Sequence, residues 1–245
     1  MMAARMATII TTMTMWTTST AMPMTAPEAV LRLLVWLSPA FPTGGFAYSH
    51  GIEWAVECGD ITDAESLPAW LRDLLAFGGA RNDAILLRHA WSSQDLRALM
   101  GIAELAAATA CGRERQDETL AQGTAFCLAA QVWPCALLAA LHDALGRVAH
   151  PVAVGVLART HGVAQDMVCQ AYLQAFTANL VSAGVRLIPL GQTAGLRVQA
   201  ALEGDILAAA ANTRDAVLED LGGACWRADI ASMRHETQYT RLFRS

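Results

Sequence analysis

Apolar positions recur along this chain at spacings of three and four, the signature of amphipathic helices. Thr25 and Glu28 form a capping-box pattern just before AVLRLLVWL. Ser49 is placed to cap a short helix through Ile52, Trp54, Ala55 and Val56. Thr62 and Glu65 repeat the box, and Leu67, Trp70, Leu71, Leu74 and Leu75 then form a stripe that Gly78–Gly79 ends. Further helices are predicted over 83–91 and 94–110, with Ser92 or Ser93 capping the second. Others follow over 113–132, 134–145 and 151–159. A long one covers 163–187, stopped by Pro189 and Gly191, and one capped by Thr193 reaches about Ala211. No convincing alternation of period two appears. The pattern predicts an all-α, single globular multi-helix domain of about nine or ten helices over 27–228, followed by a flexible C-terminal tail, 229–245.

Composition agrees with one large packed unit. Hydrophobic residues make up 54% of the 245 and charged ones only 16%, which excludes disorder for most of the chain. So little charge implies that part of the surface is covered by a partner or a second copy. The net charge of −5 gives no footprint for nucleic acid. Two uncharged stretches, 119–142 and 167–185, contain interleaved amides (Gln122, Gln131, Gln170, Gln174, Asn179), which suit core helices better than membrane spans. Six cysteines without a CxxC pair read as buried free thiols of a reducing compartment, the cytoplasm. The Thr- and Met-rich first 26 residues lack the continuous apolar core of a secretory signal and read as a disordered extension.

The stretch around Gly44–Gly45 resembles a phosphate loop, but no lysine follows it, and all 17 basic residues are arginine. A Walker loop, a pyridoxal Schiff base and a lysine general base are therefore excluded. None of the six histidines forms HxxxH or HExxH, so no local metal-ligand set is apparent; His50 and His235 stand out by their neighbours. Glu53 and Glu57, four apart with Asp60 beyond, are a carboxylate pair able to do acid/base work, though such spacing more often marks a solvated helix face. Gly112–Phe126 is the most charged helical segment, read as a solvated face laced by i,i+4 pairs or as a docking face. Val185–Val198 reads as a tight helix–helix turn. The tail differs from the body. It carries +1 against −6 for residues 1–228, and its Met, aromatic and Arg content matches interface anchors.

Four segments in order, SPAFPTGGFAYSHGIEWAVE (38–57), GRERQDETLAQG (112–123), VRLIPLGQTAGLRV (185–198) and SMRHETQYTRLFRS (232–245), resemble the UreF family of urease accessory proteins, over about Leu31–Ser245. The resemblance implies an all-helical, non-catalytic, cytoplasmic factor without a cofactor, typically a homodimer. It implies a role in nickel insertion into the urease apoprotein, standing between a UreD/UreH-type scaffold and the UreG-type GTPase and controlling GTP hydrolysis. By that likeness Arg234, His235, Glu236, Tyr239, Arg241, Phe243 and Arg244 would contact the scaffold. Tyr48, Ser49, His50 and Glu53 would form a buried or partner-facing motif near the N-terminal helix. The alternative is a direct nickel metallochaperone using His50 or His235.

Overall fold

A computed structural model describes residues 25–245; the expected N-terminal extension lies outside the described residues, apart from its last two positions. In chain order the α-helices are α1 (Ala26–Trp36), α2 (Ile52–Glu57), α3 (Ser66–Phe77), α4 (Gly79–Ser92), α5 (Leu96–Ala108), α6 (Arg113–Ala129), α7 (Ala136–Leu145), α8 (His150–Thr160), α9 (Gln165–Leu187), α10 (Gln192–Ala201), α11 (Glu203–Asn212) and α12 (Trp226–His235). No strand occurs among the described residues. Two elements differ from the sequence reading. The helix expected to run to Ala211 divides at Leu202, and α12 arises inside the segment expected to hold the domain's end and the tail.

The centre of the molecule is α8. Pro151 through Ala158 are all buried, so the helix is apolar on every side and must be ringed by others. It packs mainly on α4 and α6, with α5, α7 and α9 completing the ring. Gly155 makes the α4 crossing possible: a Cβ there would lie 2.5 Å from the Leu87 carbonyl oxygen. The 23-residue α9 crosses this core and reaches α2, α3, α10 and α11. Arg88, 3% exposed, ties α4 to both neighbours, donating to Asp166 (2.8 Å) and to the Ala210 carbonyl (2.8 Å).

Helix starts follow local chemistry with four shifts, two of which put Gly51 rather than Ser49 at the start of α2 and Gly191 rather than Thr193 at the start of α10. Glu28 accepts from the Thr25 amide at 3.0 Å, as the capping pattern predicts. The expected box at Thr62 is instead a turn centred on Asp63, whose carboxylate accepts from the Glu65 and Ser66 amides at 3.0 and 2.8 Å. Those bonds hold its carboxyl at about pH 2, and the helix begins only at Ser66. The cap of α5 is Asp95 rather than Ser92 or Ser93, because its carboxylate accepts from the Ala98 amide at 2.9 Å. No described helix is long and apolar enough to cross a membrane.

Candidate functional site

The segment 229–245, expected to be flexible, is folded back against the body, and it is there that the four motif segments meet. The reason is a set of carboxylates, Glu53 and Glu118 among them buried. Glu53, in the first turn of α2 and 7% exposed, accepts from the amides of Leu242 (2.6 Å) and Phe243 (2.9 Å) and faces Nε2 of His235 (3.1 Å). His235 ends α12 and is completely buried. Its Nδ1 faces Glu114 at 2.6 Å, and Glu114 also accepts from Arg241 at 2.8 Å. Glu236 accepts from the Arg113 amide at 2.9 Å, satisfying a free N–H at the start of α6. Gln238 donates to Glu57, and Arg227 pairs with Asp60. Thus Glu53 is buried while Glu57 and Asp60 stay on the solvated side, and each of the three holds a residue of α12 or the tail.

The last residues pair with the loop before α2. Arg244 donates its amide to the Ala47 carbonyl (2.8 Å), and the Ser49 amide and hydroxyl both donate to the Ser245 carbonyl (2.8 and 2.5 Å). Ser245 Oγ donates to Glu118 at 2.6 Å. Phe243 is buried, with the guanidinium carbon of Arg186 4.3 Å from its ring centre, and Arg186 also donates to the Phe46 carbonyl (2.9 Å). Asn179 of α9 fixes that loop from below through the carbonyls of Gly45 and Tyr48, at 3.0 and 3.4 Å. Gly51 permits the close approach of α12 to α2: its φ is +76°, and a Cβ would lie 2.6 Å from the Ser232 nitrogen.

The residues singled out by sequence divide cleanly. Tyr48, Ser49, His50, Glu53, His235 and Phe243 are buried in or beside this seat. Arg234, Tyr239, Arg241 and Arg244 are exposed, Arg241 through its ion pair with Glu114, and Glu236 is half-buried. Sequence reasoning missed Glu114, Arg115, Glu118 and Arg186 as parts of the seat. The charged helix was read as a solvated or docking face. Only Arg113 and Asp117 follow the surface i,i+4 pattern, at 3.9 Å. Glu118 and Thr119 share the buried face of Gly123, Phe126 and Cys127, a small and apolar line that places a carboxylate inward.

Beneath the seat lies a cavity of about 200 Å³, lined among others by Trp36, Asp83, Arg115, Glu118, His150 and Tyr172. Burial alone would raise the Glu118 carboxyl, but Arg115, His50 at 2.7 Å and the Ser245 hydroxyl overcome it and hold it at about 2. Burial, with Arg115 close by, lowers His50 in spite of Glu118. Asp83 is pushed up to about 6 by burial, against the pull of Arg115, while accepting from Tyr172 at 2.8 Å. Burial lowers His150 to about 4. No group of three or more His, Cys, Asp or Glu among the described residues is arranged to hold a metal ion.

Comparison with known proteins agrees with the four-segment pattern. A family model described as UreF matches residues 61–203. The urease accessory protein UreF of Rhodopseudomonas palustris (strain BisB5) is 50% identical over 235 residues, covering 93% of this chain and 97% of the relative. Its counterpart in Bradyrhizobium sp. (strain BTAi1) is 51% identical over 234 residues, 93% of this chain and 96% of the relative. That of Azorhizobium caulinodans is 50% identical over 225 residues, 90% and 97%. With the family model spanning more than half the sequence and half-identity running nearly end to end, the chain belongs to the UreF family.

Proposed function

We propose that this chain is a urease maturation factor that acts through protein contacts: it bridges a UreD/UreH-type scaffold and a UreG-type GTPase, modulates GTP hydrolysis and thereby supports nickel insertion into the urease apoprotein. The observation that supports this reading best is the division of the C-terminal segment into two faces. The inward face is spent on the carboxylate seat. The outward face leaves Trp226, Ile230, Met233, Tyr239 and Leu242 exposed beside Arg234 and Arg244. Trp226, Ile230 and Met233 follow helical spacing, so α12 presents an apolar stripe with a basic rim, the composition of interface hot spots. A seated tail offers that stripe already ordered, which lowers the entropic cost of docking.

The outward face thus becomes the scaffold-binding surface, and His235 and Phe243 act by holding it in place rather than by touching the partner. Other apolar surface, such as Leu31 and Leu34 on α1, suits a second copy of the chain in a cytoplasmic homodimer. Direct nickel carriage through His50 or His235 has less support, since each ring already faces carboxylates at 2.6–3.1 Å. The test is co-purification with the scaffold protein. Deleting 229–245, or replacing Tyr239 and Leu242 together by Ala, should abolish the complex while the helical body stays folded. Undiminished complex with both variants would refute the docking reading. For the GTPase arm, single-turnover GTP hydrolysis by the assembled complex should differ with and without this chain.

A further inference from the structure

A second, smaller cavity of about 110 Å³ lies on the far side of the first, lined in part by Asn82, Cys111, Gly223 and Asp229. His50, Asp83, Arg115 and Thr119 line both cavities and so form a polar wall between them. In this wall one guanidinium is bonded to one acid and stands near a second. Arg115 is ion-paired with Glu118, and its NH1 lies 3.0 Å from Nε2 of His50. Among the described residues Asp83 has the Tyr172 hydroxyl as its one side-chain hydrogen-bond partner. The other ionisable groups about Asp83 are His150 at the start of α8, His50 before α2, and Cys111 and Asp229 around the smaller cavity.

With Asp83 protonated, Arg115 and Glu118 balance, and Glu118 is free to hold Gln122 (2.9 Å), His50 and Ser245. With Asp83 ionised, the enclosed wall carries two carboxylates against one guanidinium. Arg115 is then shared, and Glu118, 1% exposed, loses its compensation. From this geometry we infer that Asp83 is a proton-responsive positioning residue, which competes with Glu118 for Arg115 and loosens the end of the C-terminal segment when it ionises. The sign follows from linkage. An ionised Asp83 draws Arg115 away from Glu118, so seating is fully supported while Asp83 is protonated and is weakened as pH rises through about 6. Its role in partner exchange rests on the docking reading above; its test does not, because it uses this chain alone.

The experiment is amide hydrogen exchange by NMR on the full chain between pH 4.5 and 7.5, read at Arg244 and Ser49, whose amides donate to Ala47 and Ser245. Protection in the wild type should fall by at most about 25-fold across this window, the share between pH 4.5 and 7.5 of the linkage of a group moving between about 6 and 3.8. In Asp83→Asn, which keeps an acceptor for Tyr172 and cannot ionise, protection should stay level. The ionisable groups that hold the tail, His235, Glu53, Glu114, Glu118 and Glu236, are unchanged in that variant, so the difference between the two profiles isolates Asp83. Should Asp83→Asn not fold, the carboxyl carbon shift of Asp83 in the wild type gives its titration directly. A flat wild-type profile, an equal fall in Asp83→Asn, or loss of protection that does not coincide with the Asp83 titration would each overturn the inference. A tail deletion that still co-purifies with the scaffold would sink the docking reading and leave this one standing.

Discussion

Glu53→Gln is the sharpest perturbation of the tail seat. The wild-type carboxylate has three partners, the Leu242 and Phe243 amides and the His235 ring, and it is 7% exposed. Glutamine retains one carbonyl oxygen and points an NH2 group at a site already supplied with donors. Two charge-assisted bonds weaken and at least one N–H is left without an acceptor. Removing one partner from a buried charged pair costs about 3–5 kcal/mol, and each hydrogen bond to a charged group accounts for about 1.5–3 kcal/mol of it. Taking about 3 kcal/mol for the seat alone, the detached population rises on the order of a hundredfold, at about 1.4 kcal/mol per decade. Tryptic cleavage after Arg241, followed by mass spectrometry, reads that population when opening is fast relative to cutting. Cleavage should accelerate by that factor, with the unfolding midpoint of the body moving far less. Cleavage of the variant at the wild-type rate would mean that Glu53 does not anchor the tail.

Other expectations follow from the same geometry. Glu118→Gln should destabilise the fold by about 3 kcal/mol at pH 7. Because the folded carboxyl is held at about 2 against an ordinary 4.5, the gap to wild type should be full above 4.5 and close as pH falls towards about 2, as urea titrations at several pH values would show. Gly51→Ala forces a side chain into a left-handed turn and against the Ser232 backbone, and should cost about 3 kcal/mol in the same assay. Arg186→Ala removes the cation over Phe243 and should speed tail cleavage only severalfold, consistent with about 1 kcal/mol.

Much of the fold was legible because helix signals are local. The stripe at Leu67–Leu75 and the breaks at Gly78 and Pro189 are written in the sequence, and the structure places helices accordingly. The Thr62 box misled because Asp63, one residue on, offers a better acceptor to the turn. The site was legible only in part. Sequence placed Ser49, Glu53 and His235 in two motifs but could not bring them together, since the contact joins residues 182 apart and depends on how α2, α6 and α12 pack. The tail's mixed composition was legible; its division into an inward and an outward face was not, because that requires knowing which carboxylates are buried. Glu118 could have been suspected from Gly123 and Phe126, which lie on its side of α6. Asp83 carried no such sign: its position between two cavities is a property of the packed core.

By the proposal above, this chain serves urease maturation through its C-terminal segment. Urease activity in nickel-supplied cells, with the urease operon intact except for this gene, tests it most directly. Activity should be low in the deletion strain, return with the full chain, and stay low with a chain ending at residue 228. Full activity in the deletion strain would contradict the maturation role, and full rescue by residues 1–228 would contradict the part assigned to the tail.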